Sequence, residues 1–105
     1  MVKRGEIWLV NLDPTVGTEI QKTRPCVLIS PPEFERLRTV IVAPMTSKSF
    51  AAPFRVPVTH AGTKGLILLD QIRTVDKVRL VKRLGTVSAK TITAILATLQ
   101  AVFCE

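Results

Sequence analysis

Short β-patterned runs, each stopped by proline, glycine or a polar turn, fill the chain up to Ser88, and only the segment after it carries helical periodicity. Glu6 to Asp13 alternates, with Ile7 and Leu9 on one side and Trp8 and Val10 on the other, between Gly5 and Asp13-Pro14. Pro25 to Ser30 is β-rich, and Pro31-Pro32 stops it. Thr39 to Met45 contains the β-branched run Thr39-Val40-Ile41-Val42 of a central strand and leads through Pro44 into Thr46-Ser47-Lys48-Ser49. Phe54 to Thr59 alternates between prolines, which cannot donate to a ladder, so an edge position is predicted. Gly65 to Val75 reads as one apolar strand running into Asp70-Gln71-Ile72-Arg73, and Arg79 to Val87 as a last strand with Gly85 at a bulge or turn. Pro32 to Leu37 suits one helical turn.

From the N-cap residue Ser88 onward, Ile92, Ile95, Leu96, Leu99, Val102 and Phe103 recur at three- and four-residue steps, predicting an amphipathic helix that docks on the sheet or on a second subunit. Five or six short strands and one terminal helix in a single domain over residues 1–105 predict a mainly β fold: a small SH3-like barrel or strongly bent sheet, with a short connecting helix. Closure would hide strand edges.

Fifteen Lys and Arg against eight Asp and Glu give a net charge of +7, spread from Lys3 to Lys90 with no separate tail, so the folded surface itself attracts polyanions, whether nucleic acid or an acidic protein. Charge reports on association and not on chemistry. Cys26 and Cys104 lack CxxC spacing or a neighbouring cysteine or histidine cluster, which argues against a zinc site, and no cofactor or metal is expected. Two such thiols and the lack of a signal-peptide pattern fit a reducing cytoplasm, and no apolar run reaches membrane-spanning length. His60, the only histidine, reads as a surface residue in a glycine loop, and Trp8 as core.

The stretch Asn11 to Pro25 sets one carboxylate, Glu19, and one guanidinium, Arg24, five positions apart on a turn-rich loop between two strands. Pro25 restricts the backbone of Arg24, and a loop on a rigid base suits the placing of reactive side chains. Cleaving RNA without a metal needs a base for the 2′-hydroxyl, an acid for the departing 5′-oxygen and positive charge on the phosphorane. Arg24 holds two phosphate oxygens through its planar fork, Thr46 donates a hydroxyl, and Glu19 or Asp70 serves as base. Each has a bland counterpart: an ion-paired arginine, a turn-capping hydroxyl, a solvated loop acid, and for Asp70 a structural partner in Arg73.

On RGEIWLVNLDPTVGTE (Arg4 to Glu19), TRPCVLIS (Thr23 to Ser30), APMTS (Ala43 to Ser47) and LLDQIRTVDKVRLVKRLG (Leu68 to Gly85), in that order, the chain resembles the MazF/PemK family of toxin endoribonucleases. The resemblance implies an SH3-like barrel forming a homodimer that cleaves single-stranded mRNA by 2′-hydroxyl attack and is neutralised by an acidic MazE-like antitoxin. It implies Arg24 and Thr46 as the central catalytic pair, with Glu19 on the family's acidic loop position and Asp70-Gln71 on a pair tied to catalysis or RNA contact. The loops near Thr15 to Lys22 and Ser47 to Phe54 would flank the RNA groove. Thr18, Lys22, Ser47, Lys48, Gln71 and Arg73 are the residues expected on RNA. Relatives with a histidine near Thr18 or an arginine at Leu68 use them as acid or base, and this chain has neither. The competing readings are a CcdB-like inhibitor of a protein such as gyrase and a noncatalytic single-strand binding module.

Overall fold

The central β-branched run forms the spine of the sheet because it is apolar on both faces. In the computed structural model, which describes residues 2–14, 16–19 and 22–104, β3 (Thr39–Thr46) sends Val40 and Val42 into one buried cluster and Ala43 and Met45 into another. The first cluster also contains Val10, Leu12, Cys26, Leu28 and Val75, and the second Ile7, Val27, Ile67, Leu69 and Ile95. A strand covered on both sides reads as a continuous apolar run, which is what the sequence has there.

Around β3 lie β1 (Glu6–Asn11), β2 (Thr23–Leu28), β4 (Arg55–His60), β5 (Thr63–Leu68), β6 (Arg73–Asp76) and β7 (Leu80–Thr86). All are antiparallel, in the order β4-β5-β3-β2-β1-β7, with β6 also paired to β3. The prediction of a mainly β, strongly bent SH3-like sheet with a terminal helix agrees with this architecture. The sheet is a curled half-barrel whose path ends at β4 and β7, so the proline-marked strand does lie at an edge. At the opening the two ends approach: a Cβ on Gly85 of β7 would lie 3.4 Å from Cε1 of His60 on β4.

Two predicted boundaries change. The run from Gly65 to Val75 is broken by a 3₁₀ turn at Leu69–Gln71. Both β5 and β6 pair with the same edge of β3, and the register slips by three residues between them, the length of the turn. That insertion buries Leu69, 2% exposed, and turns Asp70 outward. Arg24 sits within β2 and not on the preceding loop, since the ladder with β1 extends to Asn11↔Thr23.

The connecting helical turn is a 3₁₀ segment at Pro32–Arg36. The terminal helix α1 (Ala89–Phe103) starts where Ser88 Oγ accepts from the Thr91 amide at 3.1 Å. Its face carrying Ile92, Ile95 and Leu99 packs on the second cluster, whereas Val102 and Phe103 at its end are 47% and 72% exposed. No helix among the described residues is long and apolar enough to cross a membrane.

Candidate active site

The β2–β3 register pairs Cys26 with Pro44, Val27 with Ala43 and Leu28 with Val42. Carried two residues outward, it sets Arg24 opposite Thr46, and alternation places both on the Cys26–Pro44 face of the sheet. The guanidinium and the hydroxyl line one cavity of about 300 Å³, together with Ser47, Lys48, His60 and Lys64. Thr46 Oγ1 accepts from the Lys48 amide at 3.1 Å, which fixes the side chain and leaves its O–H to donate outward. Gly65 holds this end of β3 close to β5: a Cβ there would stand 2.9 Å from the Thr46 carbonyl oxygen.

The two candidate acids lie elsewhere. Thr18, Glu19, Asp70, Gln71 and Arg73 line a neighbouring depression with Leu12 and Pro44, one step back along β3. Glu19 is exposed and closes its own turn, Oε1 accepting from the Val16 amide at 2.6 Å while its amide donates to the Val16 carbonyl at 3.2 Å. Lys22 is exposed and belongs to the neck of the loop: its carbonyl accepts from the Leu12 amide at 2.9 Å and its amide donates to Asp13 Oδ1 at 2.8 Å. Thr15, Ile20 and Gln21 of the same loop fall outside the described residues. Of the ten predicted site residues, Arg24, Thr46, Ser47 and Lys48 share the first cavity and Thr18, Glu19, Asp70, Gln71 and Arg73 the second; Lys22 lines neither.

Asp70 is paired with Arg55 and not with Arg73. Arg55 Nε and Nη2 donate to the two carboxylate oxygens at 3.2 and 3.1 Å, a bidentate pair. Nη1 donates to the Phe50 carbonyl at 3.0 Å and to Ser49 Oγ, and the guanidinium lies 4.4 Å from the Phe50 ring centre and 5.6 Å from that of Phe54. One arginine thus ties the loop after Thr46 to the 3₁₀ turn after β5. The predicted partner, Arg73, instead donates to the Leu12 carbonyl at 3.0 Å, and Arg79 to the carbonyls of Asn11, at 3.1 Å, and Asp13. The physical reason is register: Arg55 pairs with Leu68 across β4–β5, two residues from Asp70, whereas Arg73 lies along β6 and points at the base of the first loop.

Away from the cavity, burial pushes the Glu6 carboxyl up, but hydrogen bonds from the Lys3 amide and the Trp8 indole and the Arg83 guanidinium at 3.1 Å outweigh it and leave it below its ordinary value. Burial drives the Cys26 thiol up to about 12, against a smaller lowering by the Arg73 charge, so this fully buried cysteine is an inert core residue. Among the described residues no group of three or more His, Cys, Asp or Glu could hold a metal ion.

Sequence reasoning missed His60 and Arg55. His60 is the last residue of β4, half-buried on the wall of the Arg24–Thr46 cavity, and not a loop residue facing solvent. Its position beside Pro57 and before Ala61-Gly62 signalled the end of a hairpin but not what that hairpin leans over.

The family model described as PemK-like, MazF-like toxin of type II toxin-antitoxin system matches residues 3–103. The endoribonuclease PemK of Escherichia coli is 43% identical over 96% of this chain and 81% of its own length. MazF of Deinococcus radiodurans superposes with a TM-score of 0.85 at 24% identity, covering 99% of this chain and 97% of that one. A MazE-MazF structure from the same organism gives a TM-score of 0.79 at 22% identity, over 98% and 95%. With a family match over residues 3–103, nearly its whole length, this chain belongs to the PemK-like, MazF-like toxins of type II toxin-antitoxin systems.

Proposed function

We propose that this chain is an endoribonuclease toxin that cuts single-stranded RNA by attack of a ribose 2′-hydroxyl on the adjacent phosphorus, leaving a 2′,3′-cyclic phosphate and a free 5′-hydroxyl. The observation that carries it is the pairing of Arg24 and Thr46 across β2 and β3 in a cavity that also holds Lys48 and Lys64. A guanidinium fork and a hydroxyl donor aimed at one phosphate stabilise the charge that builds on the phosphorane, and the two lysines hold flanking phosphates. Positive charge comes from side chains, so the reaction proceeds in the presence of a chelator.

The substrate is single-stranded because the second depression, lined by Thr18, Gln71 and Arg73, is rich in hydrogen-bonding groups that read the edges of unstacked bases. A strand running from the Lys48 side across Pro44 engages both cavities. Glu19 and Asp70 then shape the base-reading depression, each already holding a partner within the protein.

A net charge of +7 suits an acidic antitoxin segment that covers the same groove, and one similar solved structure is of MazE-MazF from Deinococcus radiodurans. Binding should weaken with added salt, as charge-driven association does. The exposed Val102 and Phe103 of α1 and the open edge of β7 fit a homodimer interface, and the activity belongs in the cytoplasm, where mRNA is found.

The test is cleavage of a long transcript in EDTA, with 5′ ends mapped and an oligonucleotide then made around the preferred cut. Arg24→Ala should lose roughly 10²–10³-fold in rate, as does removal of other preorganised charge-stabilising donors. A single 2′-deoxy substitution at the scissile nucleotide should abolish cutting. Unchanged cleavage by Arg24→Ala, or cutting of the 2′-deoxy substrate, refutes the reading.

A further inference from the structure

Among the described residues, none that lines the cavity of Arg24 and Thr46 is a carboxylate. Its ionisable groups are Arg24 from β2, Lys48 from the loop after β3, Lys64 from β5 and His60 from the end of β4, and Gly85 of β7 lies near the imidazole. Glu19 and Asp70 line the adjacent depression, where Glu19 caps the Val16 amide and both Asp70 oxygens accept from Arg55. Three of the four groups facing the Arg24–Thr46 phosphate position are therefore cations with no lone pair to offer at neutral pH. A neutral imidazole, by contrast, carries one acceptor nitrogen.

Local geometry places this residue at the cavity wall. His60 pairs with Thr63 to close the β4–β5 hairpin, and the two residues between, Ala61 and Gly62, have φ of +51° and +79°. Positive φ at both central positions is the two-residue hairpin turn that matches strand twist, and glycine or asparagine is the usual occupant. Alanine there is strained, because its Cβ crowds the following carbonyl oxygen. A strained turn beside a cavity that carries Arg24, Lys48 and Lys64 is an outlier from which a functional hypothesis follows. Gly85 of β7 stands near the ring: a Cβ there would lie 3.4 Å from Cε1 and 3.9 Å from Nδ1 of His60.

We propose that His60 is the general base of the reaction, a role that rests on the endoribonuclease reading above. In the step it performs, a neutral ring nitrogen takes the proton as the 2′-O–H bond breaks, and the 2′-oxygen forms its bond to phosphorus. Arg24 and Thr46 hold the two non-bridging oxygens of the phosphorane. The P–O5′ bond then breaks, its electron pair stays on the 5′-oxygen, and that oxygen is protonated by water in the open cavity. The imidazolium returns its proton to solvent, so no charge or atom is left over.

Because the chain has a single histidine, the role can be tested without mutation. Diethyl pyrocarbonate should modify one imidazole with parallel loss of cleavage. Hydroxylamine should restore activity, and a non-cleavable 2′-deoxy oligonucleotide should protect. Full activity after complete modification, or no protection by the oligonucleotide, overturns the proposal.

The variant His60→Gln, its folding checked by thermal midpoint, should cleave about 10²–10⁴-fold more slowly. The wild-type kcat/KM is expected to fall on the acid side as the base is protonated, and the variant should lack that acidic limb. A slow variant that keeps the acidic limb would make His60 a packing residue and end the proposal, as would a variant within threefold of wild type. Failure of the parent reading is seen separately: there the untreated wild type leaves RNA intact, or Arg24→Ala cuts as well as wild type.

Discussion

Replacing Arg55 by alanine is the most informative perturbation away from the cavity, because this guanidinium joins two segments that no ladder joins. The Arg55 side chain is 9% exposed and that of Asp70 29%. Removing one partner of a fully buried pair costs about 3–5 kcal/mol and an exposed pair is worth about 0.2–1, so this intermediate case lies near 1–2 kcal/mol. Stacking on Phe50 adds about 1 kcal/mol and the hydrogen bond to its carbonyl roughly another. Arg55→Ala should therefore destabilise by about 3–4 kcal/mol, a fall in Tm of roughly 12–16 °C for a domain of this size. Asp70→Asn, which leaves Arg55 its contacts with Ser49 and Phe50, should cost only about 1 kcal/mol.

Urea unfolding of wild type, both single variants and the double variant forms a cycle whose coupling energy should be about 1–2 kcal/mol. Cleavage measured on the same proteins separates anchoring from chemistry. Asp70→Asn should keep cleavage within about fivefold, whereas loss of a true general base removes about 10²–10⁴-fold. Arg55→Ala should lower turnover more than Asp70→Asn, since it frees the loop that follows Thr46. Additive stabilities would refute the clamp, and a thousandfold loss in Asp70→Asn at unchanged Tm would place Asp70 in the chemistry.

Gly65→Ala places a methyl 2.9 Å from the Thr46 carbonyl, so β3 must shift; cleavage should fall by about tenfold or more, against a midpoint loss of about 1–3 kcal/mol in urea. Because the Glu6 carboxyl is held below its usual 4.5, its contribution to stability is complete above that value and is lost as pH falls through the depressed one. Glu6→Gln should thus flatten the acid side of a Tm-against-pH curve below about 4.5, and an unchanged slope would refute the network. Iodoacetamide at pH 8 should label exposed Cys104 in the native protein and reach buried Cys26 only in denaturant, read by mass spectrometry; native labelling of Cys26 would contradict its burial.

The elements were legible where a single physical signal governed them. Prolines and glycines marked strand ends, the β-branched run Val40-Ile41-Val42 announced a strand covered on both faces, and the three- and four-residue recurrence after Ser88 gave the helix and its cap. Arg24 and Thr46 were found as a pair by type, and the ladder supplies what their types could not, positions opposite one another on adjacent strands. What escaped was set by register. A three-residue slip on β3 turns Asp70 away from the sheet and toward β4, where Arg55, unremarkable in sequence, takes both its oxygens.

The same slip explains why the acids were misplaced relative to the basic pair. Reading Gly65 to Val75 as one unbroken strand lets Asp70 be imagined in line with Thr46. The 3₁₀ turn instead carries it past Pro44 into the next depression, along with Gln71. Nothing in local composition fixes such a slip, because burying Leu69 rather than its neighbours is a decision of the assembled core. The vacancy left in the expected constellation is then filled by a residue from a different hairpin. His60 is 36 positions from Arg24 and 14 from Thr46 in the sequence, yet a two-residue turn and the curl of the sheet bring it to their cavity. Composition can say that a histidine exists; only the curl of the sheet says which phosphate it meets.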